Sequence, residues 1–327
     1  IGEHNVEVMG LDIHNPVFII SAVLAILVIG GTLLFQEQAA GVFGDFREWT
    51  TSTFDWVFMI AANFFVLFSL AVAATPLGSI RLGGADAEPR YGYAGWLAML
   101  FAAGVGIGLM FFGVLEPVTH TLNPPLGADP ADVEMTRALG MSAAIFHWGL
   151  HAWAVYAVVG LSLAFFCFNR NMPLTLRSAF FPLIHNRVWG PFGHFVDIIA
   201  VLATLFGLSV SLGYGAEQIA GGLEYLFGIR SNNLTKVVLI TMIIGVALIS
   251  VIAGLDKGVK RLSEINMGLA GLLMLFVMLA GPTLVILTTI PNAAVDYLVN
   301  LPALSNWIDR DDSAFLHGWT TFYWAWW

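Results

Sequence analysis

Charge is what this sequence has least of. Only 11% of its 327 residues are Asp, Glu, Lys or Arg, against about 25% in soluble domains. With 58% hydrophobic residues and a mean hydropathy of +0.82, the composition is that of a polytopic membrane protein. A formal charge of -9 offers no basic surface for nucleic acid, so no nucleic-acid partner is expected. The single cysteine, Cys167, excludes a disulfide within the chain. No phosphate-binding loop, no nucleophile elbow and no HExxH pair occurs. The opening stretch, Ile1 to Asn15, is polar and acidic, unlike a signal peptide. The apolar residues Trp324 to Trp327 stop abruptly. The chain is expected to be a fragment cut at both ends, the second cut falling inside a helix.

Seven runs of at least 19 residues contain no charged side chain: 13–36, 56–80, 91–115, 138–169, 198–216, 237–255 and 265–295. A span needs about 20 mainly apolar residues, so seven transmembrane helices are expected, with Ser313 to Trp327 starting an eighth. Loop Lys and Arg favour a cytoplasmic N-terminus. The inside loops would hold Arg81, Arg90, Arg170, Arg177, Arg187, Lys257, Lys260 and Arg261, eight in all, against five outside, Arg47, Arg137, Arg230, Lys236 and Arg310. Pro124, Pro125 and Pro130 bar a helix after the third run. After Pro291, the segment from Ala293 to Trp307 places Val295, Leu298, Val299 and Pro302 on one helical side, which suits a short helix in the membrane interface.

The third run is odd for a membrane helix. Its centre reads Gly104-Val-Gly106-Ile-Gly108, and each glycine costs a helix interior about 1 kcal/mol relative to alanine. Alternate glycines do not make one stripe of small residues, which needs spacings of three and four. Two readings fit: a span that unwinds and offers backbone to something bound there, or a close helix contact. Free carbonyls would suit sodium, a hard cation.

Aromatic residues collect in two places. Trp148, Trp153 and Tyr156 lie in the fourth run. On one continuous helix, Trp148 and Tyr156 would stand about 80° apart and Trp153 and Tyr156 about 60°. Four of the 11 tryptophans lie in the last nine residues, Trp319, Trp324, Trp326 and Trp327, with Tyr323. An interfacial belt scatters such residues at span ends; this clustering does not. Tryptophan faces attract quaternary ammonium groups by up to about 2 kcal/mol each when desolvated. No Asp or Glu occurs within the seven runs, which disfavours a membrane enzyme and a carrier that buries an acid. Glu217 and Asp197 sit at run edges and read as interfacial or structural, and Glu116 beside the glycines is the candidate for more. His147 and His151 have the spacing of a helical metal pair, but no third ligand follows, so polar packing is the simpler account. Thr204, Ser209 and Ser211 offer hydroxyls in the fifth run; back-bonding to the helix and sodium coordination both fit.

Taken together, Gly104 to Gly108 with Glu116-Pro117, His147-Trp-Gly-Leu-His-Ala-Trp153 with Tyr156, Ala203-Thr-Leu-Phe-Gly207 to Gln218, and Trp319-Thr-Thr-Phe-Tyr-Trp-Ala-Trp-Trp327 resemble the betaine/choline/carnitine transporter family along nearly the whole chain. The resemblance implies an all-α carrier of the LeuT type, with twelve helices in which two lead-in helices precede two inverted five-helix repeats. Residues 1–90 would hold the tail and lead-in helices and 91–290 the first repeat. Residues 291–312 would be an interfacial connection, and 313–327 the start of the second repeat. By the same resemblance, Trp148, Trp153, Tyr156 and Trp327 would box the substrate ammonium, with Trp324 and Trp326 on its access path or at a second site. Gly104, Gly106 and Gly108 would meet the substrate's other end. Backbone at Ala102 and Val105 would match one sodium site, and Thr204 a second. The sodium-coupled members carry another threonine where this chain has Leu208, with Ser209 adjacent.

The glycine motif matches sodium-coupled members best. The expected function is therefore sodium-driven import of a quaternary-ammonium solute such as glycine betaine, by a multi-pass protein of the cell (inner) membrane. Choline, carnitine, ectoine or the sulfonium zwitterion dimethylsulfoniopropionate are the alternatives, as is a membrane sensor of the same ligands. No cofactor beyond the coupling ion Na+ is expected. The partners are the small molecule, membrane lipids and, by the resemblance, two further copies in a homotrimer.

Overall fold

The uncharged runs form helices, and the breaks fall mainly where glycine or proline interrupts them. The computed structural model describes residues 5–8, 10–104 and 106–326. A small antiparallel hairpin, β1 (Asn5–Val8) and β2 (Leu11–His14), opens the chain with Asn5 opposite His14. Then come α1 (Val17–Leu34), α2 (Gln36–Thr53), α3 (Asp55–Ala74), α4 (Tyr93–Gly104), α5 (Ile107–Leu122), α6 (Val133–Trp148) and α7 (Leu150–Ala164). A four-residue helix α8 (Phe181–Ile184) precedes the long α9 (Pro191–Phe227), α10 (Asn233–Gly254), α11 (Lys260–Ala280) and α12 (Thr283–Ser305). Two short pieces, α13 (Ser313–Phe315) and α14 (Thr321–Trp326), end the chain around a π turn at Leu316–Thr320.

Among the described residues, six helical stretches are long and apolar enough to cross a bilayer: Val17–Leu34, Asp55–Ala74, Val133–Asn169, Pro191–Phe227, Asn233–Ala280 and Thr283–Ser305. The fifth has 48 residues. As one straight helix it would run about 70 Å, more than twice a hydrocarbon core of about 30 Å. It is in fact two helices, α10 and α11, divided at Gly254 (φ 82°) and the turn Leu255–Val259. The third uncharged run supplies α4 and α5, neither long enough alone. The seventh run, expected as one span, is broken at Gly281 and Pro282. Proline lacks the N–H and its ring blocks the preceding turn, so α11 stops and α12 begins. The helix then passes through Pro291 and Pro302 without ending. Residues 293–305 are therefore the second half of α12, not a separate short helix. Ala293, Tyr297 and Leu304 line its buried side, and Val295, Leu298 and Val299 face outward, each more than half exposed.

By internal contacts the chain divides into two compact units. The first takes in the chain up to Ala87, His147–Gly207 and everything from Ser305; the second is Glu88–Phe146 with Leu208–Leu304. Little of either is held by apolar burial, since in lipid an exposed leucine costs nothing. Polar contacts do the tethering. In the first unit α3 packs on α7, and α14 lies against α2 and α3. The α3 stripe of Met59, Ala62 and Asn63 is central. The Asn63 amide donates to the Ser305 carbonyl (3.0 Å), and its oxygen lies 2.9 Å from His151 Nε2 on α7. Arg177 and Asp197 form a second tether. The guanidinium Nε donates to the carboxylate at 2.6 Å, the Arg177 backbone N–H donates to its other oxygen, and both residues are buried. Gly193 makes the fit possible: a methyl there would overlap the Val188 carbonyl and press on the Arg177 side chain.

In the second unit α4 packs on α11. Gly95 sits where a Cβ would lie 2.7 Å from the Lys260 side chain, and Arg90 pairs with Asp256 at 3.0 Å. Gly140 on α6 approaches the backbone of His120 and Thr121 on α5 closely.

Asp197→Ala should cost about 3–5 kcal/mol, because it leaves a buried guanidinium unpaired. A double change, Arg177→Met with Asp197→Leu, should cost clearly less. Thermal unfolding of the detergent-solubilised protein measures both. Asn63→Leu should lower stability by about 1–3 kcal/mol in the same assay, since it removes the hydrogen bonds to His151 Nε2 and to the Ser305 carbonyl at once.

Candidate functional site

The glycine run does break its helix. α4 ends at Gly104 and α5 begins at Ile107, and Gly106 between them is extended (φ -105°, ψ -150°). A helix crossing about 30 Å of hydrocarbon has to satisfy its own backbone, so a break of this kind leaves amide groups in need of other partners. Gly106 is also exposed, and a Cβ there would meet nothing within 4 Å. Close helix packing is therefore not what requires glycine at 106. Gly104 and Gly108 are half-buried on either side, as is Ala102 in the last turn of α4. Val105 lies outside the described residues. All of these belong to the second unit.

Further along α5, Glu116 and His120 face each other one turn apart. The carboxylate lies 3.0 Å from His120 Nε2, and both side chains are fully enclosed. The acid that sequence placed at a run edge is thus a buried, paired group within the second unit. Pro117 sits inside the same helix, and Thr121 returns its hydroxyl to the Pro117 carbonyl at 2.7 Å.

The aromatic residues of the fourth run belong to the first unit, and their arrangement corrects the helical-wheel expectation. The run is not one helix. α6 ends at Trp148, Gly149 leaves the helical conformation (φ -98°, ψ -131°), and α7 starts at Leu150. Rotation counted along a continuous helix does not apply across that break. Trp148 turns its ring to Tyr323, edge to face with centroids 5.6 Å apart. Trp153 and Tyr156, both on α7, lie with ring centroids 5.7 Å apart and remain 40% and 42% exposed. They present open aromatic faces.

The Trp-rich segment is more enclosed. Trp324 is buried; its indole N–H donates to the Met59 sulfur at 3.2 Å, and its ring stacks on His151 with centroids 5.4 Å apart. Tyr323 is fully buried between His147 and Trp326, at 4.8 Å and 5.9 Å. Trp326, half-buried, also meets Phe322. Thr320 and Thr321 anchor the segment through His147 Nε2 (3.0 Å) and the Thr51 carbonyl (3.0 Å), and His317 lies 3.2 Å from the Asp55 carboxylate. Trp327 lies outside the described residues.

The histidine pair reads as polar packing here. His147 and His151 sit on either side of the Gly149 break and reach different partners, Thr320 and Asn63. Asn63 and Met59 had no sequence signal of their own; their partners His151, Ser305 and Trp324 lie 88, 242 and 265 residues away. Thr204, exposed on α9, donates its hydroxyl back to the Ala200 carbonyl at 2.8 Å. Ser209, five residues on along the same helix, stands about 140° around the axis from it.

Comparison with known proteins places this geometry. The family described as betaine/carnitine/choline family transporter matches residues 16–327. The chain is 51% identical over 346 aligned positions to a glycine betaine/proline/choline transporter of Vibrio parahaemolyticus, covering all of this chain and 63% of that protein. It is 49% identical to glycine betaine transporter 1 of the same organism, again over all of this chain and 63% of the relative. A glycine betaine transporter of Acinetobacter baylyi is 40% identical over 96% of the chain and 47% of its own length. The chain thus spans less than two thirds of the length of these relatives.

The two tryptophans should separate by stability. Trp324→Ala empties a buried site and should cost about 3–5 kcal/mol. Trp153→Ala, from a ring already two-fifths exposed, should cost far less. Unfolding midpoints of the two purified variants against the parent are the measurement.

Proposed function

Since the chain belongs to the betaine/carnitine/choline transporter family, and its relatives are transporters and not enzymes, we propose that the protein imports a methylated zwitterion such as glycine betaine, driven by sodium. One observation carries the reading. Trp153 and Tyr156 hold adjacent, partly open ring faces on a helix of the membrane region. A quaternary ammonium has no N–H to donate, so ordinary hydrogen-bond acceptors cannot recognise it. Aromatic faces can, through cation–π attraction of up to about 2 kcal/mol per ring when water is excluded. By the family resemblance Trp148 and Trp327 would join this aromatic set and Trp326 its approach, whereas Trp324 is buried against Met59 and His151.

The broken third span supplies the other half of the recognition. A zwitterion's carboxylate wants N–H donors, and a sodium ion wants oxygens. Extended backbone around Gly106 offers both without placing a fixed charge in the membrane, where one is costly. Ala102 and Val105 carbonyls would hold one sodium, and the Thr204 hydroxyl would contribute to a second, which Ser209, about 140° around the helix, does not share. The Thr204 hydroxyl already donates to Ala200, which leaves its lone pairs for a cation. In this reading aromatic faces recognise the ammonium and interrupted backbone the carboxylate, and alternating access follows the general scheme of carriers built around discontinuous helices. The protein works in the cell membrane with its N-terminus cytoplasmic, as a homotrimer.

The test is uptake of labelled glycine betaine by the whole transporter in proteoliposomes, with and without an inward sodium gradient. Accumulation should require the gradient; binding without accumulation would leave a sensor, and gradient-independent uptake would remove the coupling ion. Choline, carnitine, ectoine, proline and dimethylsulfoniopropionate as competitors rank the substrates. Trp153→Leu and Trp148→Leu should each weaken apparent substrate affinity by about tenfold or more. Gly106→Ala should fold normally, because its methyl enters open space, yet lose transport as the side chain intrudes on the exposed backbone.

A further inference from the structure

The helix α2, Gln36–Thr53, is too polar to span a membrane, yet it joins two helices that can. α1 ends at Leu34 and α3 begins at Asp55, with only Phe35 and Phe54 as breaks on either side. A chain that leaves a bilayer on α1 and re-enters on α3 does both at the same surface. Both ends of α2 are therefore pinned to that surface. Its 18 residues make a rod of about 27 Å, and a rod held at both ends by one surface lies along it.

Its faces are sorted to match. Trp49, Val42, Phe46 and Phe43 fall within an arc of about 120°. Each is exposed, by 52%, 64%, 61% and 51% respectively. Phe46 and Trp49 touch with centroids 5.9 Å apart, and Trp49 meets Phe54 at 5.3 Å, so the aromatic strip continues to the start of α3. Glu37 and Glu48 lie on the opposite side, about 180° from the centre of that arc. A third side is occupied by protein. Thr51 is buried and its carbonyl accepts from Thr321, while the Arg47 guanidinium lies 5.8 Å over the Phe322 ring. An apolar strip of this kind is rarely left in water.

We infer that α2 is an in-plane membrane-surface helix: its Val42–Phe43–Phe46–Trp49 strip seats in the boundary between headgroups and acyl chains, its acids face water, and its remaining side holds the Trp-rich segment at that level. Interfacial helices draw affinity from buried apolar area and from attraction to anionic lipid. Here Glu37, Asp45 and Glu48 against Arg47 leave a charge of -2, three acids less one base. The seating therefore rests on apolar burial alone, and an anionic surface adds nothing to it. The inference needs α1 and α3 to cross the membrane, and it is independent of substrate and coupling ion.

Single-cysteine labelling tests it on the whole transporter in vesicles. Cys167→Ser removes the one thiol of these 327 residues, any further cysteine of the whole transporter is likewise changed to serine, and Phe46→Cys, Val42→Cys and Glu48→Cys are made singly and carry a nitroxide. Collision with oxygen, which concentrates in lipid, is compared with collision with a water-soluble nickel chelate. Labels at 42 and 46 should show an oxygen-to-nickel ratio several-fold above that at 48. The ratio should not change between phosphatidylcholine vesicles and vesicles with added phosphatidylglycerol, at low or high salt. Equal, water-like ratios at 42, 46 and 48 would overturn the inference. So would labels at 42 and 46 shielded from both reagents, which would mean that protein, such as a second copy of this chain, covers the strip. The two strip positions are independent, so failure of one variant to fold leaves the other to decide.

Discussion

A polar side chain within a lipid-solvated helix has to find its partner in the protein, and that requirement shapes the first unit more than any apolar core. Asn63 shows it best. One amide on α3 serves His151 on α7 and the carbonyl of Ser305 at the end of α12, so three distant pieces of chain meet at a single residue. His147 and Thr320 repeat the arrangement, Thr321 and Thr51 repeat it again, and Arg177 with Asp197 does so with full charges. Apolar contact cannot sort these helices, because a leucine is as comfortable against lipid as against protein. Paired polar groups can, since each has few acceptable partners.

The same economy governs the candidate site. A buried fixed charge is expensive in a membrane, and a zwitterionic solute offers little for one to do. Under the proposed function, ring faces would serve an ammonium and interrupted backbone a carboxylate without it. The two interruptions, at Gly106 and at Gly149, each take a glycine out of the helical conformation. One opens backbone beside free space. The other swings Trp148 away from the line of α7 and toward Tyr323, while Trp153 and Tyr156 keep their faces open. Tyr323 and Trp324, by contrast, are buried against His147 and His151.

The helical runs and the aromatic clusters were legible from residue types, because each leaves a local mark, and the break in the third run was one of the two readings its glycines allowed. Long uncharged runs mark helices in lipid, and three alternate glycines mark a helix built to fail. The Gly149 break left no such mark, since a lone glycine in a helix costs only about 1 kcal/mol and is commonly tolerated. The break at Gly281 and Pro282 was hidden by unbroken hydrophobicity on both sides, and the passage of α12 through Pro291 ran against the ordinary meaning of proline. The buried Glu116–His120 pair lies one turn apart and was within reach of the sequence; its complete enclosure was not.

By itself, then, the sequence determined that this protein lives in a bilayer, roughly where it crosses, and which residue types could greet a methylated cation. Composition and short-range spacing carry that information, because solvent and helix geometry act on each segment separately. Only the tertiary structure decided which rings are exposed and which are buried, that the histidines are tethers, and that α2 turns an aromatic strip outward while gripping the Trp-rich segment. Those outcomes depend on partners far apart in the chain, such as Asn63 and Ser305 or Thr51 and Thr321. A hydrogen bond between them has no trace in either local sequence until the fold brings the two atoms within 3.0 Å.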